Sequence, residues 1–163
     1  MAERCLTYAP VPVAPQWYNG NYQIVQTAGY VMIISEMIHD ARIIRMNSPH
    51  VPQALRQWNG DSVGHWEGDT LVIDTTNFND RYHFHGSSEN LHVIERLTRS
   101  GDTLLYRATV DDPDTFTKPW TIEYPLAAST DRIFEYACHE GNSFSVETAL
   151  KAARQAEPAA GAR

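Results

Sequence analysis

A tetrapeptide that occurs twice limits what this chain can fold into. Gly-Asp-Thr-Leu stands at residues 68–71 and again 33 positions later at residues 101–104, each time between two runs of strand-forming residues. Gly-Asp supplies a tight reversal, and Thr-Leu starts the next strand. Two hairpins of the same kind indicate an up-and-down β-meander.

Other runs of apolar, β-branched and aromatic residues predict further strands, which makes eight or nine in all. That number is enough to close a barrel and so remove the exposed sheet edges. We therefore predict an all-β fold, a small antiparallel up-and-down barrel of the calycin or lipocalin kind by analogy. The further strands are predicted at residues 22–27, 30–39, 43–46, 91–98, 120–126 and 133–139.

The two ends of the chain differ from this strand pattern. Pro10, Pro12 and Pro15 alternate with small apolar residues, which favours an extended arm on the surface. A helix is predicted over 145–155, because Ser145 can cap its start and Pro158 follows its end. The predicted organisation is an arm over residues 1–20, one barrel domain with the C-terminal helix over 21–157, and a disordered tail over 158–163.

Charge and hydropathy exclude several classes of partner. The chain has 163 residues and a net charge of -7, which fits one domain and argues against nucleic acid or an anionic membrane as the main partner. No apolar run reaches the ~18 residues that span a bilayer, since Ser35 and Glu36 interrupt the longest one. A small molecule is the expected partner, and a homodimer is compatible with the sequence.

Two cysteines, Cys5 and Cys138, lie near opposite ends of the chain. In an oxidising compartment they could pair and fasten the arm to a late strand. The alternative is two unrelated thiols, with Cys138 simply buried. Two cysteines alone do not make a zinc site.

Alternation along the predicted strands places a carboxylate inside the barrel. The more apolar face of strand 91–98 includes Glu95, and the same reasoning turns Tyr106, Tyr124 and Tyr136 inward. Burial raises the pKa of a carboxyl group, so Glu95 is a candidate general acid or base. The alternative is a glutamate that pairs with an interior arginine or tyrosine for structure alone. Glu36, which interrupts an apolar strand, is a second candidate of this kind.

Histidine and tryptophan residues near predicted strand ends add further candidates. His139, beside Glu140, is either an acid/base group or part of the cap on the sheet end. His39 and Arg42 flank a predicted turn, where they either bind an anion at the barrel mouth or are solvated. Trp66 either lines a ligand pocket or belongs to the core.

His83, His85 and Glu89 form a possible metal site, with His92 or His139 as a fourth ligand. Their spacing is similar to the first metal motif of cupins, although the glycine expected after the glutamate and the second cupin motif are both absent. The alternative is a solvated loop in which histidines happen to cluster. If the chain acts by acid/base chemistry at Glu95, no cofactor is expected. If His83, His85 and Glu89 form a metal site, a divalent metal is expected.

The motifs WEGDTL (66–71), GSSENLH (86–92) and YACHEGN (136–142) resemble a large group of uncharacterised proteins from soil bacteria of the acidobacterial type. The resemblance covers most of the chain and extends to residues 4–6 and 36–40. Many members look exported, which favours the Cys5–Cys138 bridge and a periplasmic or secreted location, although residues 1–4 lack a signal-peptide pattern and a cytoplasmic location is not excluded. The group's pattern includes the positions Glu89, His92, Glu95 and His139, whereas the His83-x-His85 pair does not stand out in it.

These observations favour an enzyme that acts on a small organic molecule by acid/base chemistry, as a lyase, isomerase or hydrolase. Glu95 is the predicted acid or base, and His139 and His39 are its predicted proton-transfer partners. One alternative is a lipocalin-like binding protein without chemistry, and another is a cupin-like metal-dependent enzyme. The predicted substrate-binding residues are Tyr106, Tyr124, Tyr136, Trp66, Glu36, Arg42 and His92.

Overall fold

A computed structural model describes residues 5–8, 11–81 and 84–156 of the chain. One sheet and one long helix account for most of them, together with two short 3-10 helices at Met37–His39 and Phe84–Gly86. The elements in chain order are β1 (Tyr22–Gln26), β2 (Tyr30–Ser35), β3 (Ala41–Met46), β4 (Asp61–Glu67), β5 (Thr70–Thr76), β6 (His92–Ser100), β7 (Thr103–Asp111), β8 (Trp120–Ala127) and α1 (Cys138–Ala156).

The eight strands lie in sequence order in a single curled sheet that forms a half-barrel. The predicted all-β, barrel-like architecture is confirmed at this level. The sheet is not closed, because the described residues of β1 and β8 do not pair with each other. One pair, β3 with β4, is parallel and not antiparallel as predicted. The long connection over residues 47–60 is the reason, since it carries the chain back to the end of the sheet where β3 began.

Both Gly-Asp-Thr-Leu hairpins are present as predicted. Glu67 pairs with Thr70 across the first turn, and Ser100 pairs with Thr103 across the second. The two turn glycines have positive φ, 58° at residue 68 and 60° at residue 101. Side chains disfavour this left-handed region, which explains why glycine stands at both turns.

Two predicted strands are wrong in part or in whole. The strand predicted over residues 30–39 ends at Ser35, because the chain then enters a 3-10 turn in which Ile38 and His39 have positive φ. The strand predicted over 133–139 is absent, and α1 begins at Cys138 instead of near Ser145. The end of the predicted domain at residue 157 and the predicted tail over 158–163 lie outside the described residues.

The core lies on the concave face of the half-barrel. The inward face predicted for residues 91–98 is confirmed, since Leu91, Val93, Glu95 and Leu97 are each at most 4% exposed. The predicted surface arm is only partly on the surface, because Trp17 and Tyr18 are exposed, whereas Val11 and Val13 are buried in the same core. Their apolar side chains fill the concavity that a closed barrel of this size would fill from its own strands.

The C-terminal helix projects away from this body. Its side chains from Ser143 to Gln155 are all exposed. None of the helices in the described part of the chain is long and apolar enough to cross a membrane.

Candidate functional site: a buried charge cluster and an open groove

A buried ion pair joins opposite sides of the curled sheet. Arg42 on β3 donates two hydrogen bonds to Glu95 on β6, with Nη1–Oε2 at 2.6 Å and Nη2–Oε1 at 3.0 Å. The two side chains are 3% and 0% exposed. A bidentate pair of this kind gives each carboxylate oxygen a charged hydrogen-bond donor.

Tyr106 on β7 links this ion pair to the arm. Its hydroxyl donates to Oε1 of Glu95 at 2.6 Å and accepts the backbone N–H of Val13 at 2.8 Å. Burial and the negative charge of Glu95 raise the pKa of Tyr106 well above its usual value. Because Tyr106 donates its only proton to Glu95, its lone pairs accept the N–H of Val13.

Residues 11–14 of the arm, which we name the strap, lie between the two unpaired edges of the sheet. Tyr22 on β1 donates to the carbonyl oxygen of Ala14 at 2.9 Å, and Tyr124 on β8 donates to the carbonyl oxygen of Val13. Burial is the main cause that raises the pKa of both tyrosines, so both stay protonated donors. The strap therefore connects the first strand with the last, where a closed barrel would have a hydrogen-bond ladder.

The residues predicted for catalysis do not form one site. Glu95, Arg42, Tyr106 and Tyr124 are brought together, but the strap covers them and Glu95 has no exposed surface. His39 and His139 are exposed, and no hydrogen bond or ion pair within the described residues joins either to Glu95. Tyr136 stacks on Tyr18 at 6.5 Å and packs against the buried residues Met37, Ile38 and Cys138.

Glu36 is buried and connects distant segments of the chain by hydrogen bonds; it is not a partner of Glu95. Its carboxylate accepts the backbone N–H of Phe134 at 3.0 Å and the side-chain amide of Asn21 at 2.8 Å. The hydrogen bond from Phe134, followed by those from Asn21, lowers the pKa of Glu36. The segment around Phe134, for which a strand was predicted, is thus bonded to the residue that follows β2.

An open groove lies at the hairpin-turn end of the half-barrel, between β1 and the segment that follows β8. It encloses about 660 Å³. Its floor is made of apolar side chains from the concave face, and its rim includes Trp66. The floor residues include Ile24, Val31, Leu71, Leu97, Leu104 and Leu126, and the charged rim residues are Asp69, Arg99, Asp102 and Asp131.

The described part of the predicted metal site does not assemble. His85 packs edge-on against Phe84, with ring centroids 4.4 Å apart, and Glu89 pairs with Arg56 at 3.4 Å. No group of three or more ligating side chains in the described residues is arranged to hold a metal. His83 lies outside the described residues, so the full set of three stays a prediction.

Sequence reasoning missed a histidine–aspartate cluster on the convex face. His50 contacts Asp61 through Nδ1 at 2.8 Å and Asp74 through Nε2 at 3.2 Å, and His92 contacts the same Asp74 oxygen at 2.9 Å. Arg45 also holds Asp61, at 2.9 Å. Both ring nitrogens of His50 thus face carboxylates. The one sequence signal was Asp74, which interrupts the apolar run of β5.

We expect His92→Gln to lower the free energy of unfolding by about 0.5 kcal/mol at pH 5.5 and by close to nothing at pH 9. The hydrogen bond to Asp74 raises the pKa of His92, so its contribution is present below the unfolded value of about 6.5 and is lost as the pH rises through the folded value. The effect is small because the two side chains are 44% and 36% exposed. Urea titrations at both pH values measure it, with His139→Gln as an exposed control. An equal loss at both pH values would contradict it.

No protein-family model, curated protein or solved structure gives a significant match to the chain. The protein is therefore described by its structure alone: it is an open half-barrel whose interior is filled by its own N-terminal strap. The resemblance to the soil-bacterial group stays a prediction.

Proposed function

We propose that this protein binds a small, mainly apolar molecule in the open groove. The observation that carries the proposal is the groove itself, which has about 660 Å³ of space above an apolar floor. Ligand sites for small molecules have volumes of ~300–1,000 Å³, apolar walls and a few polar groups at defined places. The charged rim supplies such groups.

The interior favours binding over acid/base chemistry at Glu95. A general acid or base must reach a proton on its substrate. Both oxygens of Glu95 already accept hydrogen bonds from Arg42 or Tyr106, and the strap covers the cluster. Trp66 and Leu104 line the groove, whereas Glu95 is not among its lining residues.

We expect Leu104→Glu to weaken binding of an apolar ligand at least tenfold, because it places a carboxylate on the groove floor. The matched control is Leu105→Glu, which makes the same change at the next residue of β7, where the side chain is 43% exposed on the convex face. Fluorescence titration with the neutral probe N-phenyl-1-naphthylamine measures the dissociation constants. Equal binding by both variants and the native protein would refute the groove as the binding site.

An exported location, periplasmic or secreted, is part of the proposal. The Cys5–Cys138 disulfide of the structure supports it, since disulfides persist mainly in oxidising compartments.

A further inference from the structure

The contacts that hold the strap involve mainly its backbone. Tyr22, Tyr106 and Tyr124 bond to one N–H and two carbonyl groups of residues 13 and 14. Val11 and Val13 add two buried apolar side chains, at 0% and 2% exposure. Within the described residues, the strap is thus held as a short bound peptide would be, by hydrogen bonds to its backbone and by two buried side chains, and it belongs to none of the eight strands.

The strap has two tethers. On its C-terminal side it continues into β1, and on its N-terminal side Cys5 is joined to Cys138. Between this bond and the strap, the Thr7 hydroxyl and the Tyr8 backbone N–H donate to the carboxylate of Asp40 at 2.9 and 3.1 Å. With both ends fixed, the strap cannot leave the concave face without wider unfolding.

The surroundings of Cys138 favour opening of the disulfide by an external thiol. Cys138 is the first residue of α1, where backbone N–H groups and the helix dipole stabilise a thiolate. The side-chain amide of Asn142 points at both sulfurs, with Nδ2–Sγ distances of 3.3 Å to Cys138 and 3.6 Å to Cys5. Cys5 is only half-buried, so an incoming thiolate can reach it and displace Cys138.

We propose that the Cys5–Cys138 disulfide is a thiol-controlled lock on the strap. A thiolate of a dithiol reductant attacks Sγ of Cys5, the S–S bond breaks, and its electron pair stays on Cys138, which takes up a proton. The second thiol of the reductant then displaces Cys5 as a thiol. Two electrons and two protons pass to the protein, and the reductant becomes a disulfide. The strap then has one covalent tether, and once the hydrogen bonds of Thr7 and Tyr8 to Asp40 break, it can detach from the tyrosines.

Detachment also changes the groove, a consequence that rests on the proposed function. Tyr22 lines the groove and at the same time bonds to the strap. When the strap leaves, the groove extends along the concave face towards Tyr106 and Tyr124. The reduced protein therefore accepts a larger apolar ligand than the oxidised one.

Hydrogen exchange of the full chain, with and without dithiothreitol, tests the lock directly. The amide of Val13 is buried and bonded to Tyr106, so we expect it to exchange at least tenfold faster after reduction. Amides of β6 and β7, such as those of Glu95 and Ala108, serve as the internal control and should change less than twofold. No change at Val13 would overturn the proposal. An equal acceleration at all three amides would overturn it too, because the disulfide would then stabilise only the fold as a whole.

A second measurement separates this proposal from the proposed function. Cys5→Ser/Cys138→Ser should reproduce the exchange of the reduced protein without any reductant, and exchange that stays at the oxidised rate in this variant would contradict the lock. Titration with N-phenyl-1-naphthylamine is done in parallel. If the probe fails to bind in every form, the groove proposal fails, whereas the exchange result still decides the lock.

Discussion

We expect Arg42→Met to lower the free energy of unfolding by about 3–5 kcal/mol. Methionine keeps much of the volume of the side chain but removes both hydrogen bonds to Glu95, which is 0% exposed. A buried carboxylate that loses its cation has no water around it, and only the hydrogen bond from Tyr106 remains to compensate its charge. Urea denaturation at pH 7, followed by circular dichroism, measures the loss.

The double variant Arg42→Met/Glu95→Gln is the control for this prediction. It removes the uncompensated charge while the amide oxygen can still accept from Tyr106, so it should recover at least half of the loss. A double variant that is less stable than Arg42→Met would show that the charge of Glu95 is not the source of the destabilisation.

We expect Tyr106→Phe to lower the free energy of unfolding by about 3 kcal/mol, the second large effect. The substitution removes one hydroxyl and with it two contacts, the bond to Glu95 and the acceptor for the N–H of Val13. The ring of Tyr106 is fully buried, so water cannot replace either bond. The same urea titration measures the change.

Tyr30→Phe is the matched control, since Tyr30 on β2 is 54% exposed. It should change the free energy of unfolding by less than about 0.5 kcal/mol. If Tyr106→Phe were as mild as this control, Tyr106 would not connect the ion pair to the strap in solution.

Local sequence patterns predicted much of the sheet. The turns at Gly68 and Gly101 follow from local sequence, and the period of two along β6 places Glu95 inside. The alternation did not identify Arg42 as the partner of Glu95, because the two lie 53 residues apart and meet only when the sheet curls. The contacts of Glu95 with Arg42 and Tyr106 agree with the alternative interpretation, in which Glu95 pairs with an interior arginine or tyrosine.

Long-range contacts explain the features that the sequence did not predict. The prolines around Val11 and Val13 predicted an extended arm on the surface, but proline spacing does not distinguish a surface from a concave interior. The cluster of His50 and Asp61 with Asp74 joins a loop to two strands, and no local pattern relates those three positions. Helix α1 begins at Cys138, before the cap that Ser145 suggested, because a helix start depends on the contacts of the preceding segment.

The disulfide also gives the chain a particular covalent topology. Cys5 and Cys138 are 133 positions apart, and every strand of the sheet lies between them. The half-barrel is therefore contained in one macrocycle, and α1 is an appendage outside it after its first residue. Trypsin cleavage at Lys151, which is 71% exposed, would shorten only this appendage. A single cut inside the macrocycle would leave both fragments joined on a non-reducing gel, and they would separate only after reduction.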